Sequence, residues 1–157
     1  MQLGVIGLGR MGGNIVRRLL RAGHECVAFD TDPKVVAQLA QEGATSANDL
    51  DGLVAKLRAP RAIWLMLPHG SITENMIDAL AARLAASDVI IDGGNTFFQD
   101  DVRRAEQLAK RGIEYLDIGT SGGVRGLERG YCLMIGGDKA AAQRLDPIFA
   151  ALAPGIG

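Results

Sequence analysis

The chain opens, directly after Met1, with Gln2-Leu3-Gly4-Val5-Ile6-Gly7-Leu8-Gly9-Arg10-Met11-Gly12. The short apolar run at residues 3–6 predicts a buried strand. Residues 11–21 then carry apolar side chains at helical spacing, namely Ile15, Val16, Leu19 and Leu20. The glycines at positions 7, 9 and 12 are therefore expected in a tight turn that joins a strand to a helix.

The rest of the chain repeats this alternation of short apolar runs and longer helical patterns. Further strands are predicted at residues 25–30, 61–67, 89–92, 113–118 and 131–135. Helices are predicted at 33–41 after the N-cap Asp32, from Asn48 or Asp49 through Lys56, from Ser71 with Glu74 completing a capping box, at 100–111, and near 140–152 after the cap Asp138. Near-continuous apolar strands that alternate with helices predict an α/β fold, a Rossmann-type doubly wound, mostly parallel sheet in three αβα layers.

The composition indicates one ordinary globular domain spanning residues 1–157. Hydrophobic residues make up 48% and charged residues 22%, which argues against a disordered chain. A net charge of −1 and an aromatic content of 4% argue against a nucleic-acid or anionic-membrane surface. The 21 glycines among 157 residues exceed the average share of about 7%, so glycine is expected at particular backbone positions.

The two cysteines, Cys26 and Cys132, lie far apart without the spacing of a metal site. We expect both to be buried thiols in a reducing compartment, and we expect no metal. No apolar run reaches the ~18 residues of a membrane span. The N-terminus also lacks the basic and apolar regions of a signal peptide. By elimination these features predict a cytoplasmic protein with no membrane partner.

The first glycine cluster fits the pattern GxGxxG between a predicted strand and a predicted helix. In that context Gly7 permits the turn, Gly9 lets the backbone approach a pyrophosphate, and Gly12 lets helix and strand pack closely. The helix N-terminus supplies N–H donors and partial positive charge to the phosphates. The pattern therefore favours dinucleotide binding, and the alternative is three turn glycines in a domain without a nucleotide.

A carboxylate at the end of the second strand indicates which of the two nicotinamide dinucleotides, NAD or NADP, the domain would prefer. Asp30 lies 23 residues after Gly7, close to the ~20 expected for an acid that binds the ribose hydroxyls. It would repel a 2′-phosphate, and neither Thr31 nor Asp32 offers a compensating positive charge. We therefore predict NAD over NADP, with a simple strand-end turn as the alternative for Asp30. Lys34 is the nearby cation and is read as a solvated helix residue.

Three more segments leave predicted strands at the edge where open α/β sheets bind ligands. They are Leu67-Pro68-His69, Asp92-Gly93-Gly94-Asn95 and Gly119-Thr120-Ser121-Gly122-Gly123. Asn95 offers an amide, and the Ser121 segment offers a hydroxyl and backbone N–H groups to an anion. The alternative for Asn95 is ordinary turn chemistry. Met11 could pack against the cofactor or, alternatively, against the core of the domain. Arg10 and His69 could contribute to the site or, alternatively, be solvated surface residues.

Taken together, these motifs resemble decarboxylating 6-phosphogluconate dehydrogenase, nearest to its short NAD-preferring bacterial branch within the β-hydroxyacid dehydrogenase superfamily. The resemblance covers essentially the whole chain and rests on motifs in consistent order. They are the first glycine turn with Asn14, residues 90–95, residues 119–123 and residues 128–137. A sibling 3-hydroxyisobutyrate-type dehydrogenase shares the first turn and a serine-glycine-glycine turn, but it is not expected to carry the asparagine of residues 93–95.

The resemblance implies a role for each matching position. The dinucleotide would be cradled by Gly7, Leu8, Gly9, Arg10, Met11 and Gly12, with Asp30 at the ribose. The nicotinamide side would be lined by Leu67, Pro68 and His69. Asn95 would contact both cofactor and sugar acid, and the substrate carboxylate end would be held by Ser121, Gly122 and Gly123. The implied reaction oxidises the C3 hydroxyl of 6-phosphogluconate by hydride transfer to NAD and then releases CO₂, giving ribulose 5-phosphate without a metal.

One departure from the family pattern concerns the catalytic groups. The family's general base is a lysine in a Lys-Met-Val-His-Asn-Gly-like motif, with a glutamate acid after it, and neither motif occurs in this sequence. Lys34, Lys56, Lys110 and Lys139 have no such context. We therefore expect no catalytic residue within this chain, and an all-helical catalytic and dimerisation domain beyond residue 157. The chain alone is expected to bind NAD with little turnover, the whole protein to be a homo-oligomer, and a non-catalytic NAD-binding module is the alternative.

Overall fold

The computed structural model describes residues 1–68, 70–94, 98–121, 126–137 and 139–153. Their strands are β1 (Gln2–Ile6), β2 (Glu25–Phe29), β3 (Thr45–Ser46), β4 (Ala62–Leu65), β5 (Val89–Asp92), β6 (Glu114–Ser121) and β7 (Cys132–Gly137). Their helices are α1 (Arg10–Arg21), α2 (Pro33–Gln41), α3 (Leu50–Lys56), α4 (Ser71–Ala81), α5 (Phe98–Ala109), α6 (Gly126–Arg129), α7 (Lys139–Arg144) and α8 (Asp146–Leu152).

The strands form one sheet in the order β3-β2-β1-β4-β5-β6-β7. The pairs from β3 to β6 are parallel, and β7 pairs antiparallel with β6. This arrangement confirms the predicted doubly wound, mostly parallel Rossmann-type sheet. The strand order reverses between β1 and β4, and such a reversal leaves a crevice at the carboxyl ends of the strands.

Apolar side chains fill the space on both faces of the sheet, which confirms the three-layer prediction. One core joins Leu3 and Val5 of β1 to α1, α2, α7 and α8. The other joins Ile63 and Leu65 of β4 to α3, α4 and α5. Strands covered on both faces explain why their sequences are continuously apolar.

Helix capping agrees with the prediction from the sequence at α2 and α3 and differs from it at α4. The Asp32 carboxylate accepts from Lys34 N at 3.0 Å, and Asp49, rather than Asn48, caps α3 by accepting from Gly52 N at 2.7 Å. The predicted capping box at Ser71 is wrong, because the N-cap is Gly70 at φ +100°, without a side-chain hydrogen bond.

The last helix, predicted as one helix near residues 140–152, is two helices, α7 and α8. Pro147 lacks the N–H that a continuous helix needs, so it lies in the first turn of a new helix, α8, instead. The expected cap Asp138 lies outside the described residues.

Arg18 ties the last helices to the helix that follows the first glycine turn. Its half-buried guanidinium donates to the carbonyl oxygens of Ala151 and Ala153 at 2.8 Å and of Leu127 at 3.1 Å. A cation at a helix C-terminus satisfies carbonyls that have no partner within the helix. Arg18 thus holds the ends of α6 and α8 against α1.

The prediction that both cysteines are buried holds for one of them. Cys26, in β2, is 1% exposed, and burial raises the pKa of its thiol to about 12. Cys132 is exposed, which contradicts the prediction. It begins β7, an outer strand of the sheet that pairs on one side with β6, and such a strand leaves side chains uncovered. Within the described residues, no helix has the length and hydrophobicity needed to cross a membrane.

Candidate functional site

The first glycine turn is held in shape by close backbone packing. Gly7 has φ +93°, and a Cβ there would collide with the carbonyl oxygen of Met66, at the end of β4. A Cβ at Gly12 would collide with the carbonyl oxygen of Gly7. Both positions therefore require glycine, for the reasons expected from the sequence: the turn itself and the close approach of α1 to β1.

Gly9, between these two, faces open space. A Cβ at Gly9 would meet no atom within 4 Å. Gly9 is also the N-cap of α1, with no side-chain hydrogen bond at the cap and no acidic residue in the first turn. The N–H groups at the start of α1 thus face a space that a phosphate could enter, with the helix dipole favouring negative charge there.

Asp30 lies beside this turn, directly after β2. Its Oδ2 accepts from the backbone N of Leu8 at 2.7 Å, and its Oδ1 accepts from the backbone N of Asp32 at 2.9 Å. The carboxylate therefore fixes the glycine turn against the end of the neighbouring strand, and it stays partly exposed. It borders a cavity of about 400 Å³ that is also lined by Phe29, Thr31, Pro33, Val36, Ala37, Ser46, Ala47 and Asn48.

A second cavity, of about 250 Å³, lies on the other side of the glycine turn, at the ends of β4, β5 and β6. It is lined by Met11, Met66, Leu67, Pro68, Gly93, Gly94 and Thr120. Met11, Leu67 and Pro68 were predicted to line the site, whereas Met66 and Thr120 were missed. The hydroxyl oxygen of Thr120 is buried and has no hydrogen-bond partner among the residues that the structure describes. The signal that could have found it is its place beside Ser121 at the end of a strand.

The two cavities flank β1, at the point where the strand order reverses. One lies beyond β2 and the other beyond β4, and the glycine turn after β1 separates them. A ligand with two ring systems joined by a pyrophosphate matches this arrangement, with the phosphates on the turn and one ring system in each cavity.

A larger cavity, of about 470 Å³, lies between α4 and α5. Its lining includes the charged residues Glu74, Asp78, Arg103, Arg104, Lys110 and Arg111. Asp78 and Arg104 lie in the C-terminal halves of the two helices, and Lys110 and Arg111 follow the end of α5. Helices that run antiparallel to the strands end at the opposite side of the sheet from the glycine turns. Ligands of open α/β sheets bind at the carboxyl ends of the strands, so we place the site at the two smaller cavities.

The remaining predicted site residues divide into two groups. Arg10 is exposed at the start of α1, and Ser121 is the last residue of β6, paired with Cys132 of β7. His69, Asn95, Gly122 and Gly123 lie outside the described residues, so their roles stay predictions. Within the described residues, no cluster of His, Cys, Asp and Glu could hold a metal ion.

The fold and the glycine turn define a domain of the dinucleotide-binding class. The chain belongs to the family described as the NAD-binding domain of 6-phosphogluconate dehydrogenase, whose model matches residues 2–156. This confirms the resemblance drawn from the motifs.

Relatives and solved structures agree with that assignment. The chain is 48% identical over 155 residues to an NAD(+)-dependent, decarboxylating 6-phosphogluconate dehydrogenase of Haloferax volcanii, covering 99% of the chain and 51% of the relative. It superposes on a Plasmodium falciparum 6-phosphogluconate dehydrogenase with a TM-score of 0.91 at 25% identity, covering all of this chain and 35% of that one. A Mycobacterium tuberculosis 3-hydroxyisobutyrate dehydrogenase gives a TM-score of 0.87 at 26% identity, over 97% of this chain and 52% of that one. The chain spans about half the length of the first of these relatives.

Proposed function

We propose that this chain binds NAD in preference to NADP, as the cofactor-binding part of an NAD-dependent, decarboxylating 6-phosphogluconate dehydrogenase. The observation that carries the cofactor preference is the carboxylate of Asp30, fixed at the end of β2 by the N–H of Leu8 and partly exposed beside a cavity. A carboxylate accepts hydrogen bonds from ribose hydroxyls and repels a 2′-phosphate. The name of the Haloferax relative also specifies NAD, whereas that of the Plasmodium structure includes NADP+.

The geometry fits such a cofactor in three parts. The adenosine would occupy the cavity beside Asp30, and the pyrophosphate would lie on the open face of Gly9 at the start of α1. The nicotinamide would enter the cavity lined by Met11, Leu67 and Pro68. There its carboxamide would give the unpartnered hydroxyl of Thr120 a hydrogen-bond partner, which removes the cost of a buried polar group without one.

The reaction we propose for the whole protein is oxidation of the C3 hydroxyl of 6-phosphogluconate, followed by loss of CO₂ to give ribulose 5-phosphate. When bound, NAD accepts the hydride. Asn95, Ser121, Gly122 and Gly123 are proposed to hold the substrate. We place such an enzyme in the cytoplasm, as a homo-oligomer that acts in the pentose phosphate pathway or in gluconate utilisation.

The chain by itself is proposed to have little activity. No lysine among the described residues lines either cavity at the glycine turn, so a lysine base would come from a helical domain outside these 157 residues. A positioned base typically contributes 10²–10⁴-fold to a rate, which is why its absence would suppress turnover. NAD-dependent oxidation of 6-phosphogluconate by the purified 157-residue chain, at a rate typical of enzymes, would contradict this proposal.

A second candidate is a sibling β-hydroxyacid dehydrogenase, favoured by the close superposition on solved structures named 3-hydroxyisobutyrate dehydrogenase. The two candidates differ in substrate and share the cofactor. Formation of NADH by the complete protein, measured with 6-phosphogluconate and with 3-hydroxyisobutyrate, separates them. A complete protein that binds NAD and oxidises neither substrate would support a non-catalytic module.

The cofactor preference is tested by titrating the chain with NAD and NADP, as wild type and as Asp30→Ala. Loss of hydrogen bonds to a charged acceptor should weaken NAD binding by about tenfold or more. Binding of NADP should be unchanged or improved, because the repulsion of its 2′-phosphate is removed. Asp32→Ala is the matched control, since its carboxylate caps α2 through Lys34 N, and it should leave the NAD-to-NADP ratio unchanged.

Two outcomes would contradict the role of Asp30. If the substitution weakened both cofactors equally, its carboxylate would act only by holding Leu8 N. If NAD affinity did not change, Asp30 would have no part in binding.

A further inference from the structure

Asp92 supports the turn Gly93-Gly94, which lines the cavity of about 250 Å³. It is the last residue of β5 and is 1% exposed, and its Oδ1 accepts from the backbone N of Gly94 at 2.9 Å. The turn that it holds is tightly packed, since a Cβ at Gly93 would collide with the indole of Trp64 and a Cβ at Gly94 with the carbonyl oxygen of Leu67. The position of this turn therefore depends on where the Asp92 carboxylate is held.

A buried arginine compensates the charge of that carboxylate. Arg104, in α5, is 3% exposed, and its Nη1 lies 3.3 Å from Asp92 Oδ2. The hydroxyl of Tyr115 donates to the same oxygen at 3.3 Å. Burying a carboxylate is costly unless it is paired and hydrogen-bonded, and these two side chains supply the partners of Asp92 Oδ2 beneath the cavity.

We propose that Arg104 is a positioning residue that acts through Asp92. It holds Asp92 Oδ2, so that Oδ1 stays in place to accept from Gly94 N–H. The turn Gly93-Gly94 then keeps the shape that the nicotinamide half of the cofactor requires. Without Arg104 the buried carboxylate loses its charged partner at Oδ2 and is free to turn away from Gly94 N–H, which weakens the hydrogen bond at Oδ1. The inference rests on the proposed function, because it assigns the nicotinamide to this cavity.

The test compares two ligands that share one half. NAD reaches both cavities, whereas ADP-ribose lacks the nicotinamide and occupies only the Asp30 side and the glycine turn. For Arg104→Met we expect NAD affinity to fall by about tenfold, the effect of losing one charge-assisted hydrogen bond. ADP-ribose affinity should stay within about twofold. Arg103→Met is the matched control, since its exposed side chain pairs with Glu74, and it should change neither affinity.

Two further variants test whether Arg104 affects NAD binding through Asp92. Arg104→Lys keeps a cation beside Asp92 and should restore most of the NAD affinity. Asp92→Asn removes the carboxylate through which Arg104 is proposed to act, so adding Arg104→Met in that background should weaken NAD binding much less than it does in the wild type. Such non-additivity is the signature of two residues that act together.

A direct readout does not need the cofactor. Exchange of the Gly94 amide hydrogen, measured by NMR in the free chain, should be slow in the wild type and in Arg104→Lys and fast in Arg104→Met. Equal losses of NAD and ADP-ribose affinity, or unchanged Gly94 exchange, would overturn the inference. If the wild-type chain bound neither ligand, the proposed function would fail, and the Gly94 amide would still decide whether Arg104 positions the turn.

Discussion

The two ends of the sheet differ in what their backbone N–H groups face. At the carboxyl end, the strands run into glycine turns. Among the residues that the structure describes, nothing fills the space at Gly9 and nothing pairs with the Thr120 hydroxyl. At the amino end, side chains close the structure. Asp88, fully buried just before β5, accepts from Arg61 N at 2.6 Å, from Ala85 N at 2.8 Å and from Arg61 Nη1 at 3.2 Å.

The difference suggests a separate role for each end of the sheet: the amino end stabilises the fold, and the carboxyl end is where the ligand is proposed to bind. At the amino end a carboxylate satisfies backbone N–H groups of its own chain, which removes them as ligand donors and stabilises the fold. At the carboxyl end Asp30 and Asp92 also accept from backbone N–H groups, those of Leu8 and Gly94. The donors at the start of α1, however, face the space proposed for the cofactor. Substitutions at the amino end should therefore change stability without changing affinity, and substitutions at the carboxyl end should change affinity.

The largest effect on stability is expected for Asp88→Ala. The change leaves two backbone N–H groups without an acceptor and Arg61 without its counter-ion. We expect a loss of about 3 kcal/mol in the free energy of unfolding, the lower end for breaking a buried ion pair, because Arg61 keeps some contact with water. Denaturant unfolding measures the loss, and NAD affinity of the folded variant should be unchanged. Unchanged stability of the variant, or weaker NAD binding by the folded variant, would contradict the assignment of stability to the amino end and of binding to the carboxyl end.

The next effect separates two glycines of the same turn. In Gly12→Ala the new Cβ collides with backbone at Gly7, so the turn must open, and both stability and NAD binding should fall, stability by about 1–3 kcal/mol. In Gly9→Ala the new methyl group meets only open space. Its free energy of unfolding should match the wild type, while NAD affinity falls because the methyl group occupies the space proposed for the pyrophosphate.

Unfolding curves and NAD titrations of both variants provide the comparison. Unchanged NAD affinity in Gly9→Ala would mean that the pyrophosphate does not pass over this glycine. A fully stable Gly12→Ala that binds NAD normally would mean that α1 can move away from β1 without cost.

Most of the fold was predictable because its signals are local. Continuous apolar runs marked the longer strands, and Asp32 marked the start of α2. Elements of two to four residues, β3 and α6, were missed because they are too short to show a periodicity. The exposure of Cys132 was also missed, since it depends on β7 lying at the outside of the sheet, which the sequence of β7 does not reveal.

The site divides in the same way between local and distant signals. Gly7, Gly12 and Asp30 could be placed beside one another from the sequence because the turn and the following strand fix their spacing, and their roles toward the cofactor stay predictions. Arg104 was not found, because its partner Asp92 belongs to a different element and an arginine is usually a surface residue. Thr120 lies beside Ser121 at a strand end, which places it near the site, but its buried hydroxyl without a hydrogen-bond partner in the described part of the chain is visible only in the packed structure.

The smallest effect concerns pH at the amino end of the sheet. The N-terminal ammonium of Met1 donates to Nδ1 of His24 at 2.9 Å, in the turn before β2. Burial and, next, the charge of the N-terminus lower the pKa of His24 below its usual value. Between the lowered pKa and the ordinary value near 6.5, the unfolded chain binds more protons than the folded one, so the free energy of unfolding should rise with pH through this window.

His24→Gln should remove that part of the pH dependence. The effect should stay below about 1 kcal/mol, because the imidazole is partly exposed and water screens the interaction. Unfolding curves at several pH values between 5 and 7, compared with the wild type, measure it. The pH dependence of NAD affinity should be the same in His24→Gln as in the wild type, because the proposed cofactor site is at the other end of the strands. If the substitution did change the pH profile of NAD binding, the two ends of the sheet would be coupled, and their separation would hold for stability alone.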